Sequence, residues 1–292
     1  MNNPNKISAE SFFSIRLEQR RNGIHQGWGT GFIYRHTPSN QTFLITNYHI
    51  LLARDPKEPS KLCPGYADSP GEICWYGWQR SSMNPRLGSF RIDGDFQFLE
   101  HPKRSQGIDL VAIAINFPSE MIVVDQMGIR NDPTVPSEAG SEVFIVGYPY
   151  GYGFNGVMPI WKRGTIATEP LLSESQLPRF LIDANTNPGM SGSPVFTVAR
   201  RDMFLLEKQL ADQINNLERS DVSSLELISK LDPKAMRNTS FQGISMNLVG
   251  VYAGRVELPE FKDLNLGIVY KIKALDELFE NPVIARHPFP HI

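Results

Sequence analysis

Only two cysteines, Cys63 and Cys74, occur among 292 residues. That is too few for a disulfide-stapled secreted scaffold, and too few soft ligands for a four-coordinate structural zinc site. They read either as two unpaired thiols in a reducing compartment or as one pair closing the loop after residue 49. Long apolar runs are also missing: no segment approaches the ~20 residues that span a bilayer. The opening Met1-Asn2-Asn3-Pro4-Asn5-Lys6 lacks the apolar core of a secretion signal, and the first hydrophobic stretch is interrupted by Arg16 and Glu18. Neither sign of charge is in excess, with 29 Lys and Arg against 31 Asp and Glu and a net charge of -2. The footprint of a nucleic-acid or anionic-membrane binder is therefore lacking. No repeat or low-complexity tract is visible. These absences predict a cytoplasmic globular protein with no metal or other cofactor and no nucleic-acid or membrane partner.

What is present is a succession of strand signals. Segments 12–19, 27–34, 42–46, 73–79 and 109–115 are short, rich in β-branched and aromatic residues, and separated by Gly, Pro, Asn and Ser clusters. A second set covers 142–148, 157–168, 179–184, 193–198, 247–253 and 267–272. Two groups of about six strands, joined by the Pro-containing stretch 130–140, predict an all-β chain of two six-stranded antiparallel β-barrels. The boundaries are set at 12–130 and 131–280. Within the second set, between 193–198 and 247–253, lie about fifty residues in which Leu206, Leu210, Ile214 and Leu217 recur at helical spacing. Ser223 and Glu226 form a capping box, and Asp232-Pro233 ends the run. This predicts a helical insertion in the second barrel over about 202–235, and Lys273–Glu280 predicts a short C-terminal helix. The insertion is either a packing embellishment or a docking element for a regulatory partner.

Chemistry concentrates in three places. Asn187-Pro188-Gly189-Met190-Ser191-Gly192-Ser193-Pro194 sets a serine in a tight turn between glycines. A serine hydroxyl needs a base to take its proton and N–H groups to receive the oxyanion, and the backbone N–H groups of Gly189 and Ser191 can converge on one point. The strand Phe43-Leu44-Ile45-Thr46-Asn47-Tyr48 ends at His49, a candidate base. Asp109 stands at the mouth of the apolar strand Leu110-Val111-Ala112-Ile113-Ala114-Ile115. Burying a carboxylate there requires hydrogen bonds, and an imidazole N–H is a suitable donor. Asp93, Asp95 and Asp125 are rivals that do not lead such a strand, and Asp183 is read as structural. The order His49, Asp109, Ser191 is one of the sequential arrangements of a nucleophilic triad.

With Gly29-Thr30-Gly31-Phe32 ahead of the histidine strand, and Val249-Gly250-Val251-Tyr252-Ala253-Gly254 and Gly267-Ile268-Val269-Tyr270 after the serine, the chain resembles the trypsin-like serine peptidases of chymotrypsin fold. It is nearest in style to bacterial HtrA-like and other non-digestive members without a PDZ domain, and the resemblance spans roughly residues 12 to 275. It implies His49 as general base, Asp109 as its orienter, Ser191 as nucleophile, and Gly189 and Ser191 as oxyanion donors. It places Asn185, six residues before the nucleophile, at the base of the pocket for the P1 residue. A neutral amide there disfavours basic P1 residues. It makes Tyr252, Ala253 and Gly254 the strand that pairs with substrate, with Gly254 and Gly267 leaving the pocket walls open and Thr186 and Tyr252 narrowing it. Ser193, two residues past the nucleophile, is not expected to react. Met190 occupies the position at which digestive members carry an Asp that receives a newly cut N-terminus. A thioether cannot do so, which predicts no zymogen activation of that kind. Two function classes stay open: an intracellular serine endopeptidase acting on protein or peptide substrates, and a trypsin-fold module that binds without turnover.

Overall fold

Burial with a period of two lets one strand serve two cores, because successive side chains leave opposite faces of the backbone. The computed structural model describes residues 7–79, 85–92, 96–129, 131–172, 177–204, 240–256 and 264–286. On β3 (Gln41–Thr46) Leu44 enters one apolar cluster while Phe43 and Ile45 enter another. On β7 (Val111–Ala114) Val111 and Ile113 join the first cluster and Ala112 the second. One cluster fills the N-terminal half; the other is shared with Val146, Phe196, Val251, Tyr270 and Leu275 of the C-terminal half.

The N-terminal half is an antiparallel sheet of nine strands. A short helix, α1 (Ala9–Phe13), leads into β1 (Ser14–Arg21) and β2 (Ile24–His36) ahead of β3. After it come β4 (Glu72–Gln79), β5 (Pro85–Arg91), β6 (Gln97–Glu100), β7 and β8 (Met121–Ile122). The order across the sheet is β15-β6-β7-β3-β2-β1-β4-β5, with β8 on β4 and with β15 being Val283–Arg286. Ile92, which follows β5, and Phe98 on β6 meet in the same cluster, so the sheet curls around a single core.

The C-terminal half closes fully. β9 (Glu142–Gly147), β10 (Ile160–Ile166), β11 (Arg179–Ala184), β12 (Pro194–Phe204), β13 (Ser240–Arg255) and β14 (Leu266–Lys271) form a six-stranded barrel in the order β10-β11-β14-β13-β12-β9. Val143, Ile145, Phe180, Ile182, Val195, Tyr252 and Val269 fill it. Met190 is fully buried among them.

The all-β expectation of two antiparallel strand systems holds, and most predicted segments lie within one to three residues of observed strands. The N-terminal half departs in strand number: nine strands instead of six. β15 lies beyond residue 280 yet pairs with β6, Val283 opposite Glu100, so the chain's end returns to the first sheet. The helix at Ile272–Glu280 precedes it, and its Ala274, Leu275 and Leu278 are buried in the shared core. Residues 199–245 separate as a second compact unit. The predicted helical insertion falls outside the described residues, except that Asp202–Phe204 continue β12. Among the described residues no helix is long and apolar enough to cross a membrane.

Candidate active site

The strand β3 stops at Thr46, and the chain turns into a single helical turn, α2 (Tyr48–Leu52), with Asn47 ahead of it. Tyr48, Ile50, Leu51 and Leu52 are buried, which fixes the turn and leaves the His49 ring 24% exposed. Asp109 lies on the loop just before β7. His49 Nδ1 and Asp109 Oδ2 are 2.5 Å apart, and the His49 backbone N–H donates to Asp109 Oδ1 at 3.0 Å. One residue thus engages both oxygens of a nearly buried carboxylate. Asn47 Nδ2 donates to the Asp109 carbonyl at 2.6 Å, and Tyr270 OH, from the barrel, donates to the Gly107 carbonyl at 2.5 Å. The Asp109 loop is therefore held from both halves of the fold.

With Nδ1–H committed to the carboxylate, the neutral imidazole presents Nε2 as an acceptor, the tautomer that a general base needs. Burial pushes the His49 pKa down, but the Asp109 charge and hydrogen bond outweigh it, and the pKa stands above its ordinary value of 6.5.

The Ser191 turn is clamped by the first sheet. The Thr30 N–H on β2 donates to the Ser191 carbonyl at 2.8 Å, and Thr30 Oγ1 donates to the Gly189 carbonyl at 2.8 Å. Thr30 Oγ1 also accepts from the Tyr148 N–H at 3.1 Å, while Thr46 Oγ1 donates to the Thr30 carbonyl at 2.8 Å. Gly192 has φ +87°; a Cβ there would collide with the Thr30 carbonyl and stand 2.6 Å from Thr46 Oγ1, three residues before His49. The turn therefore seats directly on the strands that carry the histidine.

The same turn orients the candidate oxyanion donors. The Pro188 carbonyl accepts from the Tyr150 N–H at 2.6 Å, and the Met190 carbonyl from the Ser193 N–H at 3.0 Å. In a trans peptide the N–H points opposite to the carbonyl, so the Gly189 and Ser191 N–H groups are turned away from these bonds. Among the described residues neither N–H joins a backbone hydrogen bond. Ser191 Oγ donates to the Ala253 carbonyl at 3.5 Å. A register shift between Tyr252 and Gly254 frees Ala253 from the ladder with β14. A Cβ on Gly254 would lie 3.9 Å from Ser191 Oγ.

Asn185 follows β11 and is exposed, while Thr186 beside it is fully buried with Oγ1 2.5 Å from Tyr252 OH. Tyr252 itself points into the barrel core. A Cβ on Gly267 would lie 2.6 Å from Tyr252 Cε2, so the tyrosine ring stands directly beside this glycine. Ala253 and Gly254 lie beside Ser191. Among the rivals, Asp125 accepts from Arg35 Nε at 2.8 Å and belongs to that ion pair, Asp183 is an exposed residue of β11, and Asp93 and Asp95 lie outside the described residues. Ser193 is fully buried, away from solvent.

Sequence reasoning missed three residues. Thr30 stood in a quoted motif without a role, Tyr270 read as a barrel strand residue, and Arg255 follows the substrate-strand motif by one position. Arg255 donates from one guanidinium nitrogen to the Thr186 carbonyl and to Asn185 Oδ1.

Comparison with known families matches residues 29–202, more than half of the chain, to the trypsin-like peptidase domain. No curated protein matches the chain. Among solved structures, the chain is similar to a serine endoprotease from Yersinia pestis at 13% identity and TM-score 0.47, covering 92% of this chain and 62% of that one. It is also similar to the thermostable serine protease AL20 from an extremophilic microorganism, at 13% identity and TM-score 0.48, covering 92% and 95% of the two chains. A third similar structure is a scabies mite inactivated protease paralogue, at 11% identity and TM-score 0.47, covering 94% and 96%.

Proposed function

The chain belongs to the trypsin-like peptidase domain family, and from that premise we propose that it is a serine endopeptidase working through an acyl-enzyme. Ser191 Oγ attacks the scissile carbonyl while His49 Nε2 takes its proton. Asp109 holds the tautomer and stabilises the imidazolium. The N–H groups of Gly189 and Ser191 receive the oxyanion, and His49 then returns the proton to the leaving amine. The observation that carries this reading is the two-point grip of His49 on Asp109, through Nδ1 at 2.5 Å and the backbone N–H at 3.0 Å. That grip leaves Nε2 as the ring's free acceptor. An extended substrate segment adds alongside Ala253 and Gly254 by backbone pairing. An intracellular setting suits the two cysteines, Cys63 and Cys74, which form no disulfide with each other.

A second reading, a cleft that binds without turnover, draws on one feature: Ser191 Oγ is directed at the Ala253 carbonyl. Catalytic hydrogen bonds often tighten only on substrate binding. Labelling with a fluorophosphonate probe decides. The wild type is expected to label and Ser191→Ala not to. An unlabelled, correctly folded wild type that still binds peptide would establish the second reading.

A further inference from the structure

We propose that Arg255 selects substrates with an acidic side chain at P1, the residue whose carbonyl is attacked; this rests on the peptidase reading above. The reacting hydroxyl lies against residues 253 and 254, through the 3.5 Å bond to the Ala253 carbonyl and the open face of Gly254. Arg255 is the next residue along the strand. Its guanidinium crosses to the neighbouring segment and donates to the Thr186 carbonyl and, at 3.4 Å, to Asn185 Oδ1. The two segments beside Ser191 are thus bridged by a cation.

Depth is not available beneath that bridge. Thr186 and Tyr252 are buried and hydrogen-bonded to each other, and the Tyr252 ring fills the space beside Gly267. A P1 side chain therefore meets a polar rim rather than a deep apolar slot. Two of that rim's groups are donors. A guanidinium has five N–H groups, and both of the bonds described for Arg255 use one terminal nitrogen and go to neutral acceptors. Among the described residues no carboxylate lies within ion-pair distance of it. Because Asn185 presents its amide oxygen to Arg255, its NH₂ group faces the other way, as a second donor. A carboxylate can take hydrogen bonds from both, in the planar geometry that guanidinium groups favour. A P1 Lys or Arg would meet like charge, and an apolar side chain would leave both donors without a partner.

The test is a P1 series of otherwise identical peptides, cleaved by the wild type, Arg255→Gln and Arg255→Glu. Wild type is expected to prefer Glu over Gln at P1 by at least about tenfold in kcat/KM. Arg255→Gln should erase that ratio, and Arg255→Glu should turn the preference toward Lys and Arg, which a merely structural role would not do. Calorimetry on Ser191→Ala with product-like peptides ending in Glu or Gln reads the same selectivity without turnover. A wild type that labels with fluorophosphonate but shows no acidic preference overturns the assignment of Arg255 and leaves the peptidase reading standing. Failure to label overturns the peptidase reading instead; calorimetry then judges Arg255 alone, and equal binding of the two peptides overturns it.

Discussion

Replacing Thr30 by Val tests whether the first sheet holds the serine turn in its working shape. Valine matches threonine in volume, so the change removes a hydroxyl from a fully buried site and little else. Two bonds go with it: the one donated to the Gly189 carbonyl at 2.8 Å, and the one accepted from the Tyr148 N–H at 3.1 Å. Each leaves a backbone group buried without a partner, at about 1–3 kcal/mol apiece, so the loss of stability should be about 2–6 kcal/mol. That is a large share of the roughly 5–15 kcal/mol typical of a folded domain, and leaves a molecule that still folds. Gly189 is also a proposed oxyanion donor, and losing one such donor slows acyl transfer by about 100- to 1000-fold; a displaced donor should fall somewhat short of that. Urea unfolding gives the stability term, and the rate of fluorophosphonate labelling gives the functional one. Thr30→Ser keeps the hydroxyl and loses a methyl worth about 0.8 kcal/mol, so it should stay close to wild type in both. The reasoning fails if Thr30→Val unfolds within about 0.5 kcal/mol of wild type and labels within about twofold of its rate, or if serine is as damaging as valine.

The pH profile of kcat/KM should rise through a midpoint above 6.5, because His49 must be neutral to act and Asp109 holds its pKa up; a midpoint below 6.5 would contradict the pairing. The stability contributed by that pairing has the opposite slope: it is fully present below about pH 6.5 and is lost as pH rises through the higher folded value. Asp109→Asn should lower the midpoint, since burial then acts alone, and reduce kcat by about 10³–10⁴-fold; an unmoved midpoint would refute it. Gly192→Ala, forced into φ +87° against the Thr30 carbonyl, should cost more than about 2 kcal/mol in urea unfolding and abolish labelling. Burial pushes the Cys74 thiol up to about 11, so an aromatic disulfide reagent at pH 7.5 should reach Cys63 first and Cys74 only on unfolding; equal rates in the native protein would be the contrary result.

Most strands were legible because a half-buried strand declares itself through alternation and flanking turn residues. The predicted segment 179–184 coincides with β11, and 73–79 differs from β4 by a single residue. The strands that escaped notice carried weak local signals. β5 is Pro85–Arg91, with a proline, a glycine and two arginines, and β6 has four residues. β15 lies after a helix, and its place in the first sheet depends on pairing with residues almost two hundred positions away.

The three chemical groups could be named from the chain alone, since a serine between glycines, a histidine ending an apolar strand and an aspartate opening one are each local patterns. The pocket could not be read in this way. Whether Gly267 opens a wall depends on the direction of the Tyr252 ring, and that ring turns inward because its hydroxyl finds Thr186 in the barrel. Thr30 and Tyr270 look like ordinary strand residues until the two halves meet, when each hydrogen-bonds a loop of the opposite half. Arg255 is one more surface charge in the sequence; folding brings its guanidinium to Asn185 and Thr186, some seventy positions earlier in the chain. Local sequence determined the strands and the candidate reactive groups, because backbone preference and side-chain chemistry act over a few residues. Tertiary structure alone decided what surrounds those groups, because burial, hydrogen-bond partners and charge environment are set by segments that meet only in the folded chain.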